Sequence, residues 1–210
     1  MTYEIIPVGP LGVNCVILWE NPNQAWLVDP GADAETLFDF MARRGLQPAG
    51  ILLTHGHCDH ICALDAMLEA FPVPVFMAAA DTRWAFTPVN VIPGVCPAPP
   101  ALPATLAAPS ATLAFGGLEA SLLPTPGHTP GSLCAHFTAG NLLLSGDTLF
   151  AGSVGRTDLP GGNTAVLMES LRRLATLPPD TIVIPGHGAT TTLRNEMAAN
   201  PYLDEALRNL

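Results

Sequence analysis

The stretch LLTHGHCDH, residues 52–60, sets His55, His57, Asp59 and His60 within six positions at the end of a short apolar run. The chain of 210 residues has only six histidines, so half of them lie here. Neutral imidazole nitrogens and carboxylate oxygens are the donors of zinc, iron and manganese sites, and an H-x-H-x-D-H spacing offers four of them from one turn. A polar turn capping a helix that starts near His60 is the competing structural reading. The concentration of histidine favours ligation.

Working outward, AGILLT (49–54) is an apolar run of strand length, which puts the cluster on a loop at a strand's end. Upstream, YEIIPV (3–8), VNCVILWE (13–20) and AWLVDPG (25–31) read as strands of a meander punctuated by Gly-Pro and Asn-Pro. ADAETLFDFMARRG (32–45) predicts a helix with Asp33 as N-cap, Leu37, Phe40 and Met41 at helical spacing, and Gly45 beyond an arginine-rich end. ICALDAMLEAF (61–71) predicts the next helix and VPVFM (73–77) a buried strand. Residues 87–112, rich in proline and alanine, predict irregular backbone bordering the site. In NTAVLMESLRRLATL (163–177), an Asn163 cap and Leu167, Leu171 and Leu174 on one face predict a helix packed on a sheet. Two similar α/β halves in one domain, residues 1–210, are expected.

Composition excludes several classes of function. Net charge is −10, lysine is absent, and the eight arginines form no cluster beyond the pairs Arg43–Arg44 and Arg172–Arg173. A phosphate backbone is repelled by such a surface, so no nucleic-acid partner is expected. No run approaches the ~18 apolar residues of a membrane span, and MTYEIIPVGP lacks a signal-peptide pattern. A cytoplasmic protein is the expectation. The five cysteines are odd in number and contain no C-x-x-C pair, which predicts free thiols in a reducing compartment. Cys58 and Cys62 flank the histidines, but a small buried cysteine is the commoner role.

The second half repeats the scheme of apolar runs ending in polar residues. LEASLLPTPGHTPGS (118–132) brings His128, NLLLSGDTLF (141–150) brings Asp147 and TIVIPGHGAT (181–190) brings His187. Each alone reads equally well as a turn or cap residue. With His55, His57, Asp59 and His60 they make seven nitrogen and oxygen donors at strand ends, where α/β sheets open crevices.

With these residues in view, the chain resembles the metallo-β-lactamase superfamily, whose signature looks like THGHCDH followed by Gly-His, Gly-Asp and a last Gly-His. GDTLFAGSVGRTDLPGG (146–162) and PGHGATTTLRNEMAANPYL (185–203) are similar to the compact glyoxalase II type, hydroxyacylglutathione hydrolase without a C-terminal helical domain. The resemblance implies an α/β fold, the four-layer αβ/βα sandwich, with two divalent metal ions at one edge, zinc first and iron or manganese as alternatives. It implies that His55, His57 and His128 hold one ion, Asp59, His60 and His187 the other, and that Asp147 bridges them.

Two divalent ions ~3.5–4 Å apart bring a shared water to a pKa near 7 and present hydroxide to a carbonyl. The implied activity is hydrolysis of a thioester, S-D-lactoylglutathione or a related hydroxyacyl thioester, with Asp59 and Asp147 as catalytic carboxylates. A thiolate with a pKa of about 8.5 leaves with little acid assistance. Asp29 reads either as a turn residue or as a hydrogen-bond partner that orients a ligand. Arg156 either pairs with Asp158 or Asp33 as scaffold or meets an anionic group of the substrate, a glutathione conjugate. His136 reads as packing. Two alternatives stand beside the hydrolase. One is a mononuclear iron persulfide dioxygenase using His55, His128 and Asp147; the other is a non-enzymatic metal-binding module. A β-lactamase proper fits less well, because those enzymes typically carry cysteine or another residue where Asp147 stands.

Overall fold

The computed structural model describes residues 1–208, so the last two residues of the expected 1–210 domain lie outside the described residues. The first half runs β1 (Thr2–Val8), β2 (Val13–Trp19), β3 (Gln24–Val28), α1 (Ala34–Arg44), β4 (Gln47–Leu52), α2 (Cys58–Ile61), α3 (Leu64–Ala70), β5 (Val75–Phe76), α4 (Ala79–Ala85) and β6 (Leu106–Ala107). The second runs β7 (Thr112–Phe115), β8 (Leu118–Pro124), β9 (Leu133–Phe137), β10 (Leu142–Gly146), β11 (Leu149–Phe150), β12 (Ser153–Val154), α5 (Thr164–Leu174), β13 (Ile182–Pro185), β14 (Thr191–Thr192), α6 (Leu193–Ala199) and α7 (Pro201–Arg208).

Strand alternation builds the layers. Two six-stranded sheets form, ordered β1-β2-β3-β4-β5-β6 and β14-β13-β10-β9-β8-β7. Successive side chains of a strand face opposite ways, so a fully apolar strand is buried on both sides. Along β2, Val16 and Leu18 join Trp26 and Leu52 between the sheets, packed against Phe137, Leu142 and Leu144. The intervening Ile17 turns outward to Leu37 and Met41 of α1 and Leu64 and Met67 of α3. The second sheet mirrors this, with Leu143 and Val183 facing Leu167, Leu171 and Leu174 of α5 and Leu203 of α7. The result is the expected four-layer α/β sandwich, helices outside two mixed sheets.

Local expectations fare unevenly. Asn163 caps α5 as predicted, accepting a hydrogen bond from the Val166 N–H. Asp33 does not cap α1: its backbone is left-handed, and its carboxylate accepts from the Gly9 N–H at 2.8 Å instead. The single helix expected over 61–71 is two, α2 and α3, separated at Cys62–Ala63. The thiol expectation also needs correction. Cys62 and Cys96 form a disulfide with Cα atoms 5.8 Å apart, while Cys15, Cys58 and Cys134 are free and buried. The bridged residues are 34 positions apart and meet only because the α2–α3 corner packs beside the Ile92–Cys96 turn, a juxtaposition no local spacing discloses. The argument for a reducing compartment falls with it. No described helix is long and apolar enough to cross a membrane.

His136 in β9 is buried, and its Nε2 has no hydrogen-bond partner. Burial lowers its pKa below the ordinary 6.5. The unfolded chain therefore takes up a proton there before the folded one does, and stability falls as pH drops below about 6.5. His136→Leu removes the orphaned nitrogen. We expect equal or greater stability at pH 7 and a smaller loss between pH 7 and pH 5, measured by thermal melts. A variant less stable at both pH values contradicts this account.

Candidate metal centre

Four loops, each leaving the end of a strand, bring the seven donors together. β4 ends at Leu52 and delivers His55, His57, Asp59 and His60; β8 delivers His128, β10 Asp147 and β13 His187. One donor atom each from His55, His57 and His128 lie within 4.8 Å of one another, and so do those of Asp59, His60 and His187. Asp147 lies between the trios, with Oδ1 3.4 Å from His60 Nε2 and Oδ2 3.5 Å from His128 Nε2 and 3.6 Å from His187 Nε2.

Hydrogen bonds on the far side of each ring decide which nitrogen faces inward. The Nδ1–H of His128 donates to the Arg156 carbonyl at 2.7 Å, and that of His187 to the Leu11 carbonyl at 3.0 Å. A carbonyl only accepts, so both protons are fixed on Nδ1. His60 Nδ1–H donates to Asp29 Oδ2 at 2.9 Å. Thr54 Oγ1 donates its one proton to Asp29 Oδ2 at 2.6 Å and so accepts from His55 Nδ1–H at 3.1 Å. His57 is the exception, pointing Nδ1 into the cluster 3.1 Å from His55 Nε2 and 2.8 Å from His128 Nε2.

With every ring neutral, as ligation requires, lone pairs face lone pairs. His60 and His187 oppose their Nε2 atoms at 3.3 Å, and buried Asp147 Oδ1 has no hydrogen-bond donor. A protonated His57 Nδ1 can serve only one of its two neighbours. A divalent cation in each trio relieves every one of these contacts, so the residues fit a metal pair. Without ions the two halves differ electrostatically. Burial and neighbouring imidazoles push His55 well below its usual range and His57 to about 3. Burial also opposes charge on His60, but the carboxylates of Asp147 and Asp29 outweigh it and raise the imidazole to about 9. Asp59 is carried down to about 2 against its burial by His187 and His60.

Of the two readings of Asp29, the structure selects the orienting residue over the turn. Its backbone is left-handed (φ 51°), and its carboxylate holds His60 directly and His55 through Thr54. A non-glycine residue in that region is strained and persists where its contacts over-determine it. Two glycines are equally tied to the site. A Cβ on Gly31 would strike the Asp59 carbonyl, and one on Gly186 would strike Asp147 Oδ1 and His60.

Asp81 escaped the sequence reading. Fully buried, it accepts from the Gly56 N–H at 2.9 Å, Thr129 Oγ1 at 2.7 Å and the Gly131 N–H at 2.7 Å, clamping the His57 loop to the His128 loop. AADTRWA carries no motif, and the partners are 25 and about 50 positions away. Asn14 was missed for the same reason. Its amide holds the Pro185 and Gly188 carbonyls on either side of His187.

Of the two partners expected for Arg156, the structure selects Asp158, in a bidentate pair at 2.7 Å with both side chains largely exposed. Arg156 also lines an open cavity of about 440 Å³, together with His57, Asp59, His128, Asp147 and His187. The cavity's far rim is the β11–β12 hairpin, held where Asn200 donates to the Ser153 carbonyl and Glu196 accepts from the Gly152 N–H.

A family model for the metallo-beta-lactamase superfamily matches residues 8–187, and the chain belongs to that superfamily. Among its relatives, a probable metallo-hydrolase, YqgX, of Bacillus subtilis is 36% identical, with 97% of this chain and 98% of the relative covered. Hydroxyacylglutathione hydrolase GloC of Haemophilus influenzae is 32% identical over 97% and 99%. Among solved structures, BLEG-1, a B3 metallo-beta-lactamase, superposes with a TM-score of 0.90 at 38% identity, covering 96% of this chain and 99% of that one. TTHA1623 in a di-iron-bound form superposes at 0.85 with 37% identity, covering 95% and 99%.

The clamp at Asp81 has a measurable consequence. Asp81→Ala strands three donors in a buried setting, and each unsatisfied group costs on the order of 1–3 kcal/mol. We expect a loss of roughly 3 kcal/mol or more by urea denaturation, and a smaller loss for Asp81→Asn, which keeps one acceptor. A loss for Asp81→Ala within about 0.5 kcal/mol of zero contradicts the clamp.

Proposed function

We propose that the chain, as a single metallo-β-lactamase-like domain, is a two-metal thioester hydrolase acting on S-D-lactoylglutathione or a related hydroxyacyl thioester. The observation that carries this is the position of the Asp147 carboxylate, within 3.6 Å of nitrogens from both trios. In this reading His55, His57 and His128 would hold one ion and Asp59, His60 and His187 the other, with the Asp147 carboxylate within reach of both trios. The second trio supports two ions over a mononuclear triad of His55, His128 and Asp147. Zinc suits the donor set, and the likeness to a di-iron structure keeps iron beside it.

Bound there, a pair of divalent ions brings a water to a pKa near neutrality and polarises a carbonyl. The chain's own residues supply the rest. Asp59 lines the cavity, where its carboxylate would accept a hydrogen bond from the attacking water and so orient it. The remote hydrogen bonds to His55, His60, His128 and His187 hold the rings against rotation, so the site reacts without reorganising. The departing thiolate needs no dedicated acid. Arg156 at the cavity wall offers the carrier's carboxylate a guanidinium already aligned by Asp158. The likeness to a glutathione thioester hydrolase supports this substrate class, and the likeness to a β-lactamase makes a β-lactam the competitor to exclude.

Elemental analysis of protein purified without added metal should find close to two transition-metal ions per chain, with thiol released from S-D-lactoylglutathione. A fully active single-iron form, or turnover of a β-lactam but of no thioester, overturns the reading. Asp147→Ala should lower kcat/KM by roughly 100-fold or more, while His136→Ala stays far closer to wild type. Arg156→Ala should raise KM severalfold with kcat within about two-fold. An unchanged KM with a lowered melting temperature makes Arg156 scaffold instead.

A further inference from the structure

The metal cavity does not end at His57. A second cavity of about 460 Å³ opens on the other side of that ring and shares His57, Ile92 and Leu159 with the first. The remainder of its wall comes from Trp84, Val89, Val91, Pro130 and Pro160, with Asn90 and Cys58 as the polar neighbours. Neither Arg156 nor any other charged side chain lines it. Val89 and Ile92 are among the most exposed large apolar residues of the chain, and both belong to this wall. Apolar side chains left in water at the lip of a reaction cavity are what an apolar ligand group covers.

The wall is held in place. Asn90, between Val89 and Val91, is buried, donates to the Gly56 carbonyl at 2.8 Å and the Ala85 carbonyl at 2.7 Å, and accepts from the Cys58 N–H at 3.1 Å. Those bonds fasten the segment to the loop that carries His57. Four residues beyond Ile92, the Cys62–Cys96 disulfide fastens it again, to the corner after His60. The segment reads in sequence as irregular proline-rich backbone bordering the site, and the structure ties it twice to the loop that carries the histidines. A pocket built this way binds without first ordering itself.

Resting on the hydrolase reading, we propose that this cleft receives the acyl arm of the thioester and that the preferred acyl group is apolar, larger than lactoyl, aliphatic or aromatic. The two cavities meet at His57, so a substrate whose carbonyl lies among the donors extends one arm into each. Arg156 and the polar rim suit the carboxylate-bearing thiol arm, which leaves the uncharged cleft to the acyl arm. Trp84 closes it, with its ring centroid 5.4 Å from that of His57. A flat or branched apolar group stacks there, and a charged acyl group finds no partner.

The test uses the metal-loaded enzyme and glutathione thioesters of acetate, butanoate, hexanoate and phenylacetate. We expect kcat/KM to rise about three-fold or more per added methylene and to be high for phenylacetyl. Val91→Asp and Val89→Asp should flatten that rise, while Leu102→Asp, an exposed apolar position outside both cavities, keeps it. Occupancy is read separately from Trp84 fluorescence. Hexanoate should perturb it at far lower concentration than acetate, and Trp84→Phe should abolish the response although Trp19 and Trp26 remain. Equal kcat/KM across the acyl series, or a gain that follows apolar length on the thiol arm, overturns the inference and leaves the hydrolase reading intact. Failure to hydrolyse any thioester, with the Trp84 response to hexanoate present, sinks the hydrolase reading and leaves the cleft's apolar preference standing.

Discussion

Five imidazole nitrogens are turned toward one another with their lone pairs inward, and two carboxylates join them. Such an arrangement is repulsive unless cations sit inside it, so the fold has to hold each ring in place from behind. Four of the five are held at Nδ1 by partners from three different loops and a strand end: Thr54, Asp29, the Arg156 carbonyl and the Leu11 carbonyl. The sandwich provides a rigid edge at which those loops meet. The large apolar layers between and outside the sheets fix the ends of β4, β8, β10 and β13, and the loops need only short reaches from there.

The seven candidate donors were legible because they sit where periodicity changes. An apolar run that stops at a Gly-His or Gly-Asp gives the strand, its end and the donor in one reading, and all seven donors converge as the strand-end argument requires. The apolar runs around Leu52, Leu143 and Val183 were legible as buried strands of two similar α/β halves, while the four-layer order came only with the resemblance to the superfamily. Asp29 was legible only as two alternatives, and its long-range bonds to Thr54 and His60 decide for the orienting one.

What stayed hidden has a common cause. Asp81, Asn14 and Asn90 act largely through polar bonds to groups 25 to 174 positions away, and their local sequence has the look of ordinary helix, strand or loop. The disulfide between Cys62 and Cys96 is equally non-local. Asp33 illustrates the reverse error, since good N-cap chemistry was overridden by a tertiary bond to Gly9. The proline-rich segment 87–112 is largely irregular and borders the site as its composition suggests, but composition did not show that it is anchored through Asn90 and Cys96 or that it supplies the apolar wall beside His57.

The central claim is that the protein fixes, from behind, the tautomer of four of the five clustered histidines before chemistry begins. Long-range proton–nitrogen correlation spectra of the zinc-loaded protein, with ring nitrogens assigned through single-site variants, test it directly. The account predicts Nδ1–H with metal on Nε2 at His55, His60, His128 and His187, and the opposite arrangement, Nε2–H with metal on Nδ1, at His57 alone. An Nε2–H signal from any of the first four, or an Nδ1–H signal from His57, contradicts it.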